Sequence, residues 1–114
     1  MSARATLLAA ADLLERPGAW TQNVFARNSG GENVGVRHDS AACWCAMGAI
    51  RRIGGGAQTP ATRDAVSALE TMLSDGARNV SSDDDVWIPK WNDAEGRTQA
   101  EVVAMFRRCA EAQS

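Results

Sequence analysis

At 114 residues the chain has the common size of one domain, so residues 1–114 are read as a single helical domain. Hydrophobic residues make up 45% and charged residues 23%, ordinary globular usage that excludes wholesale disorder. Twelve Lys and Arg against fourteen Asp and Glu give a formal net charge of -2, which leaves no electrostatic footprint for nucleic acid, so no DNA or RNA partner is expected.

Residues from Ser2 to Glu15 are rich in Ala and Leu, with Leu7, Ala11 and Leu14 at helical spacing until Pro17-Gly18 stops the pattern. This is the first helix. Asp12 and Glu15 interrupt its Leu7-Leu8-Ala9-Ala10-Ala11 run too soon for a membrane span or a signal-peptide core, so no membrane association is expected. Three cysteines, two of them only two positions apart, do not form a disulfide framework, and a reducing cytoplasm is the expected location.

From Trp20 to Val36, alternation at Val24 and Ala26, the turn signal Asn28-Ser29-Gly30-Gly31 and alternation at Val34 and Val36 predict a short β-hairpin. Asp39-Ser40 then offers a cap, and Ala42, Cys45, Ala49 and Ile53 recur at helical steps up to Gly54-Gly55-Gly56, which predicts a second helix. Thr59-Pro60 opens a third, with Val66, Leu69 and Leu73 as its apolar stripe and an end near Asp75-Gly76. The segment from Ala77 to Gly96, with Val86-Trp87-Ile88-Pro89-Lys90-Trp91 inside it, reads as an ordered loop pinned by tryptophans. Thr98-Gln99-Ala100-Glu101 is a capping box for a last helix whose core face is Val102, Met105, Phe106 and Cys109. The expected fold is mainly α: a compact bundle of about four helices with a small β-hairpin and a tryptophan-rich loop.

Chemistry has few places to reside. Cys43, as the third residue after a Ser40 cap, falls where a helix dipole lowers a thiol pKa. Cys45 lies deeper on the apolar face, and for it and Cys109 packing is the expected role. His38, Cys43 or Cys45, and Asn92 or Asp93 have the residue types of a Cys-His-Asn/Asp constellation, in which an imidazole activates a thiol and a third group orients the imidazole. A solvated His38 before a helix is the competing reading. Cys-x-Cys with one histidine does not match a zinc knuckle, and Asp83-Asp84-Asp85 lacks the spacing of a calcium loop, so no metal is expected. The glycine clusters lack a following Gly-Lys-Ser/Thr, so no nucleotide cofactor is expected. Trp44, Trp87 and Trp91 are either core or anchors for another protein, with Asp83, Asp84 and Asp85 as an adjoining acidic surface.

The segments Cys45-Ala46-Met47-Gly48-Ala49-Ile50 and Ile88-Pro89-Lys90-Trp91-Asn92-Asp93, followed by Thr98 and Glu101-Val102-Val103, together with Trp20-Thr21-Gln22 and more loosely Ala26-Arg27-Asn28, carry a resemblance. With its Cys-Ala-x-Gly-Ala and Trp-Asn-Asp motifs, the chain resembles, over most of its length, a family of short bacterial and phage proteins filed as a domain of unknown function. The resemblance implies a fold and the pairing of two segments, and no activity. Cys43 and His38 depart from the pattern, which weakens a triad that needs His38. In a structural reading of the motif, Gly48 and Ala49 permit close approach of another helix, and Asn92-Asp93 form a turn that orients the last helix.

The expected function is a small non-enzymatic protein-interaction module, such as a phage-associated or mobile-element accessory factor or an inhibitor of a host complex. The alternatives are a cysteine-dependent hydrolase or transferase using Cys45 or Cys43 with His38 and Asp93, and a structural homo-oligomeric subunit.

Overall fold

The computed structural model describes residues 2–74 and 87–113. In chain order the elements are α1 (Ala3–Glu15), β1 (Ala26–Asn28), β2 (Ala41–Trp44), α2 (Ala46–Gly54), α3 (Pro60–Ser74), α4 (Trp87–Asn92) and α5 (Gln99–Ala112). The fold is mainly α. The helix beyond the four expected is α4, a single short element within the segment expected to be a loop; Pro89 is tolerated there because it falls in the first turn, where no i−4 carbonyl awaits its missing N–H.

α1 starts where the Ser2 hydroxyl accepts from the Ala5 backbone N–H at 3.0 Å, one of the four donors that a helix start leaves open. It lies centrally, against α5 most extensively and also against α2 and α3. Leu7, Ala10, Ala11 and Leu14 meet Val102, Phe106 and Cys109 of α5, Ala46, Ala49 and Ile50 of α2, and Ala65 and Leu69 of α3 in one core cluster. Gln99 Nε2 donates to the Leu14 and Arg16 carbonyls at 2.6 and 2.8 Å, so the first residue of α5 closes the end of α1. The Thr98 and Glu101 capping box is formed, and Arg107 pairs with Asp12 and Glu15 across the same interface. α3 begins at Pro60 as its sequence predicts, and the expected end near Asp75-Gly76 lies outside the described residues.

Two expectations are corrected between the first two helices. The Asn28 turn forms, with Asn28 Oδ1 accepting from the Gly30 and Glu32 N–H groups at 3.0 Å. The strand that pairs with β1 is however β2, antiparallel, with Ala26 opposite Trp44 and Arg27 opposite Cys43. The return arm at Asn33 and Val34 makes only a bridge to Arg27 and one bond, Val34 N–H to the Ala26 carbonyl. Correspondingly, the second helix starts at Ala46, six residues after the Ser40 cap proposed for it. Residues 41–44 are held extended by the β1 ladder, and Trp44 is paired on its other side too: its N–H donates to the Ala19 carbonyl and its carbonyl accepts from the Thr21 N–H. These long-range bonds override a local helical period. His38 and Ser40 are meanwhile bonded to each other, Nδ1 to the hydroxyl at 2.7 Å.

α2 is pressed directly against backbone. A Cβ built on Gly48 would fall inside contact distance of the Phe25 carbonyl, so only glycine lets the helix approach the chain before β1 this closely. The expected close approach at Gly48 is therefore to the bend that precedes β1 rather than to another helix. Gly48→Ala should destabilise the domain by about 1–3 kcal/mol through overpacking against a backbone that cannot rotate away. Chemical denaturation monitored by tryptophan fluorescence checks this; an unchanged midpoint would show that the segment yields.

Candidate functional site

The residues of the two sequence motifs meet at the start of α2. Asn92, the last residue of α4, has no exposed surface. Its Oδ1 accepts from the Trp20 indole N–H at 2.7 Å and from the Ala46 backbone N–H at 3.0 Å. Its Nδ2 donates to the Thr21 carbonyl at 3.1 Å and to Asp93 Oδ1 at 2.9 Å. Both acceptor positions of the amide oxygen and both amide N–H donors are filled. Asp93 Oδ1 also accepts from the Asn23 N–H at 2.9 Å, and Gln22 Nε2 donates to the Asn92 and Ala94 carbonyls. The expected role of Asn92-Asp93 in orienting the last helix gives way to a wider one, in which they fasten α4 to the chain from Trp20 to Asn23 and to α2.

Cys45 is the N-cap of α2, and its Sγ accepts from the Gly48 N–H at 3.3 Å. The helix start is thus satisfied by one thiol and one amide oxygen from another element. Burial pushes the Cys45 thiol pKa up; the Gly48 N–H bond opposes this, the nearby Asp93 carboxylate adds to it, and the Met47 N–H and the Arg51 charge oppose it. At 4% exposure, Cys45 is a neutral capping group rather than a poised thiolate. It shares the wall of a cleft of about 240 Å³ with Asn23, Phe25, Asn33, Pro89 and Asp93. Asn23 sits at φ 73, a left-handed conformation that asparagine tolerates better than most residues.

Among the candidate catalytic residues, Cys45 and Asp93 reach one cleft with Asn92 directly behind it. His38 does not line that cleft; it lies in the turn before β2, bonded to Ser40. Cys43 lies on β2 rather than in a helical first turn, its thiol 3.8 Å from the Arg27 carbonyl, so the dipole argument for its activation is overturned. Among the described residues no group of three or more His, Cys, Asp or Glu could hold a metal ion.

The tryptophans do not form an exposed set. Trp44 is 5% exposed, with its indole N–H bonded to the Val36 carbonyl at 2.9 Å and Arg52 over its ring, which corrects its reading as a binding anchor. Trp91 is half-buried beneath the Arg97 guanidinium, 4.0 Å from its centroid, and Trp87 is half-buried. Asp83, Asp84 and Asp85 lie outside the described residues.

Phe25, Asn33 and Arg51 were not singled out by the sequence. Phe25 is 43% exposed, with the Arg51 guanidinium 4.5 Å above its ring. It lines the Cys45 cleft on one side and, on the other, a cleft of about 520 Å³ shared with Asn33, Val34, Val36 and Arg51. The available signal was alternation: with Ala26 turned inward, Phe25 faces out.

The fold and these clefts define a small, mainly helical domain in which a thiol-capped helix abuts an aromatic surface. A family model described as a family of unknown function, DUF6197, matches residues 1–112, and the chain belongs to that family. No curated protein and no solved structure matches it significantly.

Asn92→Ala should cost about 3 kcal/mol or more, since it leaves an indole N–H, a backbone N–H and a carbonyl with desolvation uncompensated, and thermal unfolding should fall by roughly 10 °C or more. Cys45 gives a pH test. Its thiol binds the proton more tightly folded than unfolded, so its contribution to stability is complete below the unfolded pKa of about 8.5 and is lost as pH rises through the higher folded value. Iodoacetamide should accordingly label folded Cys45 slowly at neutral pH and label the denatured chain freely. Rapid labelling of the folded protein near pH 6 would overturn the capping role.

Proposed function

We propose that this chain is a small non-enzymatic protein-interaction module whose contact face centres on Phe25. The observation that carries the reading is a large aromatic side chain held 43% exposed on rigid backbone between two clefts. The Phe25 carbonyl accepts from the Cys45 N–H at 3.1 Å and lies against Gly48, so the ring is presented with little backbone freedom to lose on binding. Interface anchors are characteristically aromatic residues or arginine beside well-formed pockets, and here Phe25 and Arg51 stack together. Three free thiols suit a reducing compartment, in keeping with a cytoplasmic module. No described helix is long and apolar enough to cross a membrane.

A cysteine-dependent hydrolase or transferase is the second reading, favoured by Cys45 and Asp93 lining one cleft. It is opposed by the raised thiol pKa and by the absence of the chain's single histidine, His38, from that cleft. A homo-oligomeric subunit is the third, with a second copy as the occupant of the Phe25 face.

Phe25→Ala should remove a partner captured by the wild-type chain, with affinity reduced at least about tenfold and unfolding midpoint nearly unchanged. Leu8→Ala serves as the control, since Leu8 is also exposed, at 37%, but lies on α1. Equal loss in both variants, or none in either, would sink the Phe25 face as the contact. Sedimentation that shows a dimer lost only in Phe25→Ala would identify the partner as a second copy.

A further inference from the structure

Among the described residues Arg51 is the arginine with a buried guanidinium nitrogen that has no hydrogen-bond partner. Arg97 and Arg107 have carboxylate partners, at 3.4 Å for Arg97 with Glu101 and 2.8 Å for Arg107 with Glu15. Arg27, Arg37 and Arg52 donate to backbone carbonyls. Arg51 has neither: among the described residues nothing accepts a hydrogen bond from its guanidinium, and its Nε is buried without a partner. A buried charged donor without an acceptor is costly, and native structures rarely leave one so. The guanidinium carbon is nonetheless held over the Phe25 ring, 4.5 Å from its centroid, a cation–π contact that uses none of its N–H donors.

Arg51 lines the cleft of about 520 Å³, whose remaining wall includes Val34, Val36 and Ala57, and Asn33, whose side chain makes no hydrogen bond among the described residues. Arg37 and Arg52 do not line it and spend donors on the Gly55 carbonyl and on the Val36 and His38 carbonyls respectively, whereas Arg51 is in no ion pair among the described residues. Among the described residues Arg51 is therefore the one charged residue lining the cleft, whose other sides are largely apolar.

We propose that this cleft receives the carboxylate of an acidic side chain from a partner polypeptide, with Arg51 as its cationic ligand, Asn33 as an additional donor and Phe25 as the apolar wall. A guanidinium fork matches a carboxylate in two parallel hydrogen bonds, and among the described residues the Arg51 donors are not committed elsewhere. Apolar walls suit an acidic residue carried on a peptide, whose methylenes they cover. A phosphate offers them nothing to cover, and one arginine neutralises it poorly. The proposal rests on the interaction-module reading and names the chemistry of its partner.

The test follows the Arg51 Nε–H and the backbone amides of Phe25 and Asn33 by ¹H–¹⁵N NMR, in the full chain, during titration with three probes. These are the capped tripeptide acetyl-Leu-Glu-Leu-amide, its Gln counterpart, and inorganic phosphate. The Glu peptide should shift these signals saturably with a dissociation constant on the order of millimolar, as befits so small a ligand, and the Gln peptide should bind at least about tenfold more weakly. Arg51→Gln should lose the response while keeping the wild-type unfolding midpoint, and Arg51→Lys should regain part of it. Equal responses to the Glu and Gln peptides, a saturable response to phosphate alone, or no saturable shift well above millimolar peptide would each overturn the carboxylate assignment. Should the assignment fail while Phe25→Ala still loses its partner, the interaction module stands and its partner docks by other chemistry.

Discussion

A buried amide has to have its hydrogen bonds made, and at Asn92 that requirement organises the molecule. With no surface of its own exposed, the side chain can satisfy its polar atoms only if the Trp20 indole, the Thr21 carbonyl and the first N–H of α2 all arrive together. Apolar contacts tolerate sliding; this set does not, because an unmade bond in a low-dielectric interior costs more than a made one gains. The amide thus specifies register for three segments that hydrophobic burial alone would hold loosely.

The consequences run outward to the surface. With the start of α2 fixed by Asn92 and capped by Cys45, Gly48 lies against the Phe25 backbone, and the Phe25 ring has little choice but to face solvent. Arg51, one turn along the same helix, then stacks over it. The buried polar cluster and the exposed aromatic are two ends of one mechanical linkage, which is why the motif residues themselves stay inside while the surface they position is made of others.

Local chemistry made the regular helices legible. Ser2 before an Ala and Leu repeat, Thr59-Pro60, and the reciprocal Thr98 and Glu101 pair each satisfy helix-start donors with residues a few positions away, so their meaning is contained in short windows. Residues 41–44 lacked such a window. Their helical spacing was real, but their backbone groups bind residues 19–21 and 26–28, and nothing local announces those partners. α4 was hidden by Pro89, which reads as a breaker unless its place in the first turn is known. Cys45, Asn92 and Asp93 were recognisable as a set through their motifs. What the set does follows from burial: a thiol read as core packing proved to be a cap as well, and a possible triad lacked its imidazole at the cleft. Arg51 could not be picked out by type, since its distinction is a buried Nε without an acceptor.

Asn92 also imposes an order on events. Its bonds reach back 72 residues to Trp20 and 46 to Ala46, so the extended segments cannot acquire their final arrangement until α4 has been made, whereas α1 and α3 can coil from contacts within themselves. Chain emerging from a ribosome would hold Trp20 to Trp44 unsettled until nearly the whole domain had been synthesised. The Phe25 and Arg51 surface, built on that stretch, therefore depends on Asn92, far along the chain, for the bonds that fix the start of α2 beneath it.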